Sequence, residues 1–207
     1  MALSMLAVHE AAENLLNCVC EAVGRLPTEV PGLAGCPCRV GVVPGLPAAD
    51  GCDGGCDVAD GDYPGQLTVN VSRFYASTIT GFPAETTTVR DAINCQMPQV
   101  TAVELVVTLW RCAPGASDEG CPPPMDALDA TAMQLHADML ATQQGILCCY
   151  AGTDTTRRKG RRFFIGQTQT LGPQGGCAGF QTRVTVALDD CLPCPVEEPQ
   201  AAVQGRS

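Results

Sequence analysis

The stretch at residues 100–112 constrains the fold of this chain more than any other part of the sequence. It reads VTAVELVVTLWRC, with large apolar side chains at both odd-numbered and even-numbered positions. Because successive side chains of a strand point to opposite faces of a sheet, such a strand must be covered on both faces. We therefore predict that residues 100–112 form the central strand of the sheet.

Four other segments supply candidate neighbours for this strand. Residues 66–77 alternate between apolar and polar side chains, which predicts a half-buried strand, and residues 39–43 indicate a short one. Residues 163–171 and 177–188 predict a C-terminal β-hairpin, because the glycine-rich segment between them is typical of a turn. That segment does not resemble a phosphate loop, since a strand and not a helix follows it.

Two helices complete the predicted fold. Residues 4–23 carry apolar side chains in steps of three and four and precede Gly24, a common residue at helix ends: Met5, Val8, Ala12, Leu15, Leu16, Val19 and Val23. Asp126 can cap a second helix, whose inner face would comprise Leu128, Ala132, Leu135 and Met139. The predicted class is α+β, an antiparallel β-sheet packed with two main α-helices and long irregular loops. We expect a single domain at residues 1–194 and a disordered tail at residues 195–207.

Charge and hydropathy limit the possible partners. The 22 acidic residues outnumber the 12 basic ones, so the net charge of -10 repels a phosphate backbone and argues against a general nucleic-acid binder. The first residues lack the pattern of a secretory signal, and no apolar run is long enough to span a membrane. We expect synthesis in the cytoplasm and no membrane partner.

The 14 cysteines form the most unusual feature of the composition. Only Cys191 and Cys194 have the common spacing of a zinc knuckle, and no second knuckle faces them, so we predict no metal site. In a reducing cytoplasm the thiols would behave as small apolar side chains. If oxidation followed, Cys52 with Cys56, or Cys191 with Cys194, would be the nearest pairs. A zinc-binding adaptor and a secreted disulfide-bonded domain remain alternatives.

Catalytic patterns are not recognisable in the sequence. The two histidines, His9 and His136, lie singly within helical patterns and belong to no nucleophile–base motif. The acidic segment at residues 50–64 does not have the ligand order of an EF-hand, which favours a solvated loop over a calcium site. We therefore expect no enzyme activity and no cofactor.

The basic run at residues 157–162 is the sharpest local feature, because it contains five of the 12 basic residues. It is either a solvated loop or a contact with an anionic surface. The acidic surface of an adjacent copy ranks ahead of DNA as that anionic surface. Loops at residues 113–124 and 152–162 are the expected contact regions. The candidate contact residues are Arg157, Arg158, Lys159, Arg161, Arg162, Asp118 and Glu119.

Several motifs resemble neck proteins of tailed phages of actinobacteria, in particular tail terminators. They are GPQGGCAGF at residues 172–180, RVTVAL at 183–188, GQLTV at 65–69 preceded by Cys52 and Cys56, Phe82-Pro83, and VELVVTLWRCAP at 103–114. The resemblance covers residues 4–190, and these motifs occur within it in matching order. Connector and stopper proteins of the same neck are the alternatives within this group.

The resemblance implies a structural virion protein without catalytic residues. It implies a hexameric ring that caps the tail tube and joins it to the stopper or connector below the head, with DNA passing through the central channel. Six copies would meet through head-to-tail contacts that close into a ring. An acidic channel would let DNA slide without sequence-specific binding.

Overall fold

The computed structural model describes residues 4–48, 63–86, 99–116, 120–151, 162–174 and 176–188 of the chain. Within these residues three helices and five strands follow in the order α1 (Ala7–Gly24), α2 (Leu26–Glu29), β1 (Pro37–Val42), β2 (Tyr63–Thr78), β3 (Gln99–Cys112), α3 (Met125–Tyr150), β4 (Phe163–Gln174) and β5 (Cys177–Leu188). The predicted α+β class is confirmed.

The five strands form one sheet in the order β1-β2-β3-β5-β4, so the apolar strand β3 lies at the centre as predicted. Val103, Leu105 and Val107 are fully buried on the face that packs against the helices. On the opposite face Val106 and Trp110 are each only 3% exposed. Burial on both faces explains why β3 carries apolar residues at both odd-numbered and even-numbered positions.

The sheet is mixed and not wholly antiparallel, which corrects one part of the prediction. β1 pairs in parallel with β2, with Val40 beside Leu67 and Val42 beside Val69, whereas β2, β3, β5 and β4 pair in antiparallel order. Parallel neighbours require a crossover of roughly a dozen residues or more. Residues 43–62 are long enough for that connection, but their composition does not reveal the direction in which β1 pairs.

α1 and α3 contribute to the same apolar core on one face of the sheet. In α1 the side chains of Leu15, Val19 and Val23 are fully buried, as the stripe at residues 4–23 predicts. Met5, which the prediction included in that stripe, lies before α1 and is 83% exposed. The predicted apolar stripe therefore holds within α1, and Met5 is not part of it.

α3 differs from the prediction in its capping and in its buried half. Its N-cap is Pro124, and Asp126 lies within the first turn, where its charge still suits the helix dipole. Leu128, assigned to the inner face, is exposed, and Leu135 and Met139 only border the core. The buried positions lie in the C-terminal half: Asp138, Ala141, Thr142, Gly145, Ile146, Cys149 and Tyr150.

Close approach of α1 and α3 explains why the C-terminal half of α3 is the buried one. A Cβ atom added at Gly145 would lie 2.9 Å from the Ala22 Cβ and 2.9 Å from the Cys18 carbonyl oxygen. The absence of a side chain at Gly145 thus lets the two helix backbones meet at this point. The helix continues through residues 146–150, a segment that the sequence alone left unassigned.

β4 and β5 pair antiparallel, from Phe163 opposite Val186 to Gln174 opposite Cys177. β4 extends beyond the predicted strand, so that Gly172 and Pro173 belong to it and not to the turn. Proline is compatible with this position because β4 is an edge strand. The tail at residues 195–207 lies outside the described residues.

Two disulfides attach α1 to the rest of the molecule. Cys18 bonds to Cys149 of α3, with a Cα–Cα distance of 5.7 Å, and Cys20 bonds to Cys36, with 5.2 Å. Cys38 and Cys177 are half-cystines as well. This differs from the expectation of reduced thiols, because the tertiary fold brings cysteines far apart in sequence to bonding distance. The pairs proposed from sequence proximity, Cys52 with Cys56 and Cys191 with Cys194, lie outside the described residues.

Candidate functional site

Of the seven residues predicted to contact partners, Arg162 lies within the described residues, and Arg157, Arg158, Lys159, Arg161, Asp118 and Glu119 lie outside them. The Arg162 Nη1 donates a hydrogen bond to the carbonyl oxygen of Ile79 at 2.7 Å. Its own carbonyl oxygen accepts from the Ala187 N–H at 2.9 Å. Arg162 therefore ties the start of β4 to the segment after β2 and to β5, and its guanidinium has a partner within the chain.

Other arginines at the surface are also paired with carboxylates. The Arg183 Nη1 lies 2.7 Å from Glu104 Oε1, and the Arg73 Nη2 lies 2.6 Å from Glu85 Oε2. These arginines are about half exposed, so the pairs contribute little to stability. They do neutralise positive charge that could otherwise attract an anionic ligand.

A buried ion pair lies between the sheet and α3. Arg111 donates from Nε to Asp138 Oδ2 at 2.8 Å and from Nη2 to Asp138 Oδ1 at 2.9 Å, while the two side chains are 4% and 0% exposed. The Arg111 Nη2 also donates to the Gly35 carbonyl oxygen at 2.7 Å. This bidentate arrangement joins the end of β3, the middle of α3 and the segment before β1.

Gln134 extends this network by one helical turn. Its Nε2 donates to Asp138 Oδ1 at 3.0 Å, and its Oε1 accepts from the Ala34 N–H at 2.7 Å. These contacts join α3, the end of β3 and the segment before β1, so the network positions these three parts of the fold relative to one another. The sequence contained a signal for it, namely a charged Arg111 at the end of an apolar strand, but no indication of its partner.

The face of the sheet opposite the helices carries a row of buried side chains with polar atoms. Gln66 lies opposite Trp110 and Thr68 lies opposite Thr108 in the β2–β3 register, with Asn70 next along β2. One side-chain atom of each of these five residues has no hydrogen-bond partner in the described part of the chain. Ordered water or a polar group from another molecule commonly satisfies such atoms.

Two open clefts lie beside β1 and β2, one against α1 and one next to Gln66 and Thr68. One, of about 470 Å³, is lined mainly by apolar residues from the N-terminal part of α1 and from β1 and β2, with His9 at its margin. The His9 Nε2 lies 3.3 Å from Glu13 Oε1, and both side chains are more than half exposed. The other cleft, of about 360 Å³, lies over β1 and β2 beside Gln66 and Thr68. Neither lining has the nucleophile, base and orienting group of a hydrolytic site.

Metal coordination has no candidate among the described residues, because they contain no group of three or more His, Cys, Asp or Glu side chains that could hold an ion. Cys191 and Cys194, and the acidic segment up to residue 62, lie outside those ranges. Cys20 and Cys36 are bonded to each other and so do not offer thiolates.

The outer face of α3 carries three of the exposed large apolar side chains in the described part of the chain. Met133, Leu140 and Leu147 lie on it and are 57%, 70% and 48% exposed. They lie opposite the buried face that contains Gly145, so α3 has apolar side chains on two sides. No helix within the described ranges combines the length and apolar character needed to cross a membrane.

No protein-family model and no curated protein matches this sequence.

Proposed function

We propose that this protein is a structural subunit of a phage neck, a tail terminator that forms a hexameric ring on the tail tube. The ring would join the tube to the stopper or connector of the head, with DNA passing through its lumen. This proposal rests on the motifs at residues 65–69, 103–114, 172–180 and 183–188, which resemble tail terminators of actinobacterial phages.

The observation that carries the proposal is that these motifs meet in space. They belong to β2, β3, β4 and β5, and three of these strands are neighbours at the centre of the sheet. Trp110 lies opposite Gly179, and a Cβ atom on Gly179 would lie 2.9 Å from Trp110 Cε3. The indole thus packs where the glycine has no side chain, which makes the two motifs parts of one packing unit.

The surface and charge of the molecule support the same role. A closed ring needs two unlike surfaces on each subunit, because its contacts are head-to-tail. The sheet has two unlike edges, the six-residue strand β1 and the twelve-residue strand β4, and both edges expose apolar side chains, Val40 at 42% and Phe164 at 50%. The net charge of -10 suits a channel through which DNA slides without binding.

Native mass spectrometry and negative-stain imaging of the purified chain test this function. A hexamer has six times the chain mass of 21.5 kDa, about 129 kDa, and should appear as rings with a central hole. Mixing with tail tubes of the same phage should place rings at tube ends. A protein that stays monomeric and never associates with tubes would refute the proposal.

Arg158→Glu tests the predicted contact run, with Arg25→Glu as the matched control. Arg25 is an exposed arginine between α1 and α2, 3.7 Å from Glu21 and 3.9 Å from Glu29. Under the proposal, Arg158→Glu lowers the yield of rings and Arg25→Glu does not. Equal effects of the two changes would show that net charge, and not the run at residues 157–162, governs assembly.

A stopper or connector of the same neck is distinguished by its partner. A terminator binds the tube protein, whereas a stopper binds the head side of the neck. Pull-down with each purified component separates the two assignments.

A further inference from the structure

The strand β1 has a free edge. It lies at the end of the sheet, and β2 is its neighbour among the described strands. The N–H of Val43, directly after β1, donates to the Val69 carbonyl oxygen at 2.9 Å. Because main-chain groups of successive residues in a strand point to opposite sides, the N–H and C=O groups of Val40 and Val42 point away from β2. They have no backbone partner within the described residues, so β1 offers a short row of free hydrogen-bonding groups.

An open cleft lies on each face of the sheet beside this edge. On the helix face, a cleft of about 470 Å³ is lined mainly by apolar side chains from α1 and from the end of β1, with Val42 among them. On the opposite face, a cleft of about 360 Å³ is lined in part by Gly41, Gln66 and Thr68. Val43 belongs to both linings, so both clefts reach the end of β1.

The cleft opposite the helices contains polar atoms that need a partner. Gln66 and Thr68 are 6% and 3% exposed, and the Gln66 Oε1 and Thr68 Oγ1 have no hydrogen-bond partner in the described part of the chain. Gly41 lies beside Thr68 in the β1–β2 register, and a Cβ atom added to Gly41 would meet nothing within 4 Å. The cleft therefore has room above Gly41 for a group that hydrogen bonds to Gln66 or Thr68.

Unlike clefts on the two faces of a free edge specify an extended chain as the occupant. Successive side chains of a strand point to opposite faces, so a strand added beside β1 places alternate side chains in the apolar cleft and in the polar cleft. The two linings contain no carboxylate, although the net charge of the chain is -10, and their basic side chains, Arg39 and His9, are exposed. An uncharged segment therefore fits this groove without burying an unpaired charge.

The opposite edge of the sheet is less regular. The register of β4 against β5 shifts twice, after Ile165 and after Leu171, whereas β1 pairs with β2 without a shift over residues 39–42. Bulges of this kind hinder the pairing of an edge with another chain. This difference favours β1 as the edge that accepts a strand, and it argues against β4 of a second copy as the strand that is accepted.

We propose that β1 and its two flanking clefts bind an extended, uncharged peptide segment of another protein by strand addition. The backbone of the segment pairs with Val40 and Val42, and its apolar side chains enter the cleft against α1. The side chains between them carry amide or hydroxyl groups and hydrogen bond to Gln66 and Thr68. The groove is complete in one copy of the chain, so this inference goes beyond the proposed function and does not depend on it.

Selection from a synthetic library of short random peptides tests the proposal. Each protein variant is immobilised, and the peptides that it retains are sequenced. Val40→Pro is the test variant, because proline removes the N–H that points away from β2 and is tolerated in an edge strand. Val40→Ala is the matched control, since it keeps this N–H. We expect the wild type and Val40→Ala, but not Val40→Pro, to enrich peptides in which apolar residues alternate with serine, threonine, asparagine or glutamine.

Fluorescence anisotropy with the most enriched peptide measures the affinity. Val40→Pro should weaken binding by about tenfold or more, as expected for the loss of a hydrogen bond at the edge. Gly41→Val should weaken it by a similar factor, because its side chain fills the polar cleft, and valine suits a strand. Circular dichroism checks that both variants fold. No enriched peptide, enriched peptides without alternation, or unchanged affinity for Gly41→Val would overturn the proposal.

Native mass spectrometry separates this groove from a contact between copies of the chain. Val40→Pro should leave the oligomeric state of the wild type unchanged. Loss of oligomers in Val40→Pro, with oligomers retained in Val40→Ala, would make a second copy the occupant and overturn the proposal. Peptide binding by a chain that never forms rings would leave this inference standing and count against the tail terminator.

Discussion

Removing the carboxylate of Asp138 should destabilise the protein far more than removing a surface carboxylate that lies at a similar distance from an arginine. In the wild type Asp138 accepts two hydrogen bonds from Arg111, and both side chains are almost completely buried. Asp138→Ala leaves the guanidinium in the protein interior with the Gly35 carbonyl as its remaining described acceptor. Breaking a buried pair in this way costs about 3–5 kcal/mol.

The matched control is Glu85→Ala, which removes the partner of Arg73. That pair has an N–O distance of 2.6 Å, close to the 2.8 Å of the buried pair, but its side chains are each 52% exposed. Solvent already screens the charges, so we expect a loss of about 0–1 kcal/mol. The comparison tests burial together with bidentate hydrogen bonding, because Arg111 donates twice to Asp138 and Arg73 donates once to Glu85.

A double variant separates the value of the ion pair from the cost of an unpaired charge. Arg111→Met with Asp138→Leu replaces both charges by apolar side chains of similar length, and such replacements are often neutral. The double variant should therefore recover most of the stability lost in Asp138→Ala. Urea unfolding under non-reducing conditions gives the free energies, provided that the m-value stays constant. Equal losses for Asp138→Ala and Glu85→Ala, or a double variant less stable than Asp138→Ala, would refute the reasoning.

Three further changes test the packing of the core. Gly145→Leu should lower the free energy of unfolding by about 1–3 kcal/mol or more, because the new side chain overpacks against α1. The control is Gly41→Ala, where an added Cβ meets nothing within 4 Å and the change should stay within about 0.5 kcal/mol. Thermal unfolding compares the two variants, and equal losses would argue against the close approach of α1 and α3. Replacing Cys18 and Cys149 by Ala removes a disulfide that spans 131 residues, and loop entropy predicts that the free energy of unfolding falls by about 5 kcal/mol. Urea unfolding measures this change, and an unchanged midpoint would show that the disulfide does not stabilise the fold. Leu105→Ala should cost about 2–5 kcal/mol because Leu105 is fully buried, and a loss below about 1 kcal/mol in the same assay would contradict its place in the core.

The candidate contact surface shows how far sequence reasoning reached. Charge alone pointed to residues 157–162, but Arg162 contacts Ile79 within the chain and the rest of the run lies outside the described residues. The seven-residue spacing of Met133, Leu140 and Leu147 on α3 was visible in the sequence. It was not assigned, because α3 carries apolar side chains on two faces and periodicity does not say which face is inside.

The sequence by itself determined the strands, the two main helices and the central position of β3, because local periodicity reports which side chains avoid water. Only the tertiary structure decided that β1 pairs in parallel, that the C-terminal half of α3 is buried and that Cys18 bonds to Cys149. It also decided that Arg111 pairs with Asp138. These features join residues far apart in the chain, and their partners are selected by the packing of whole elements, which no local pattern encodes.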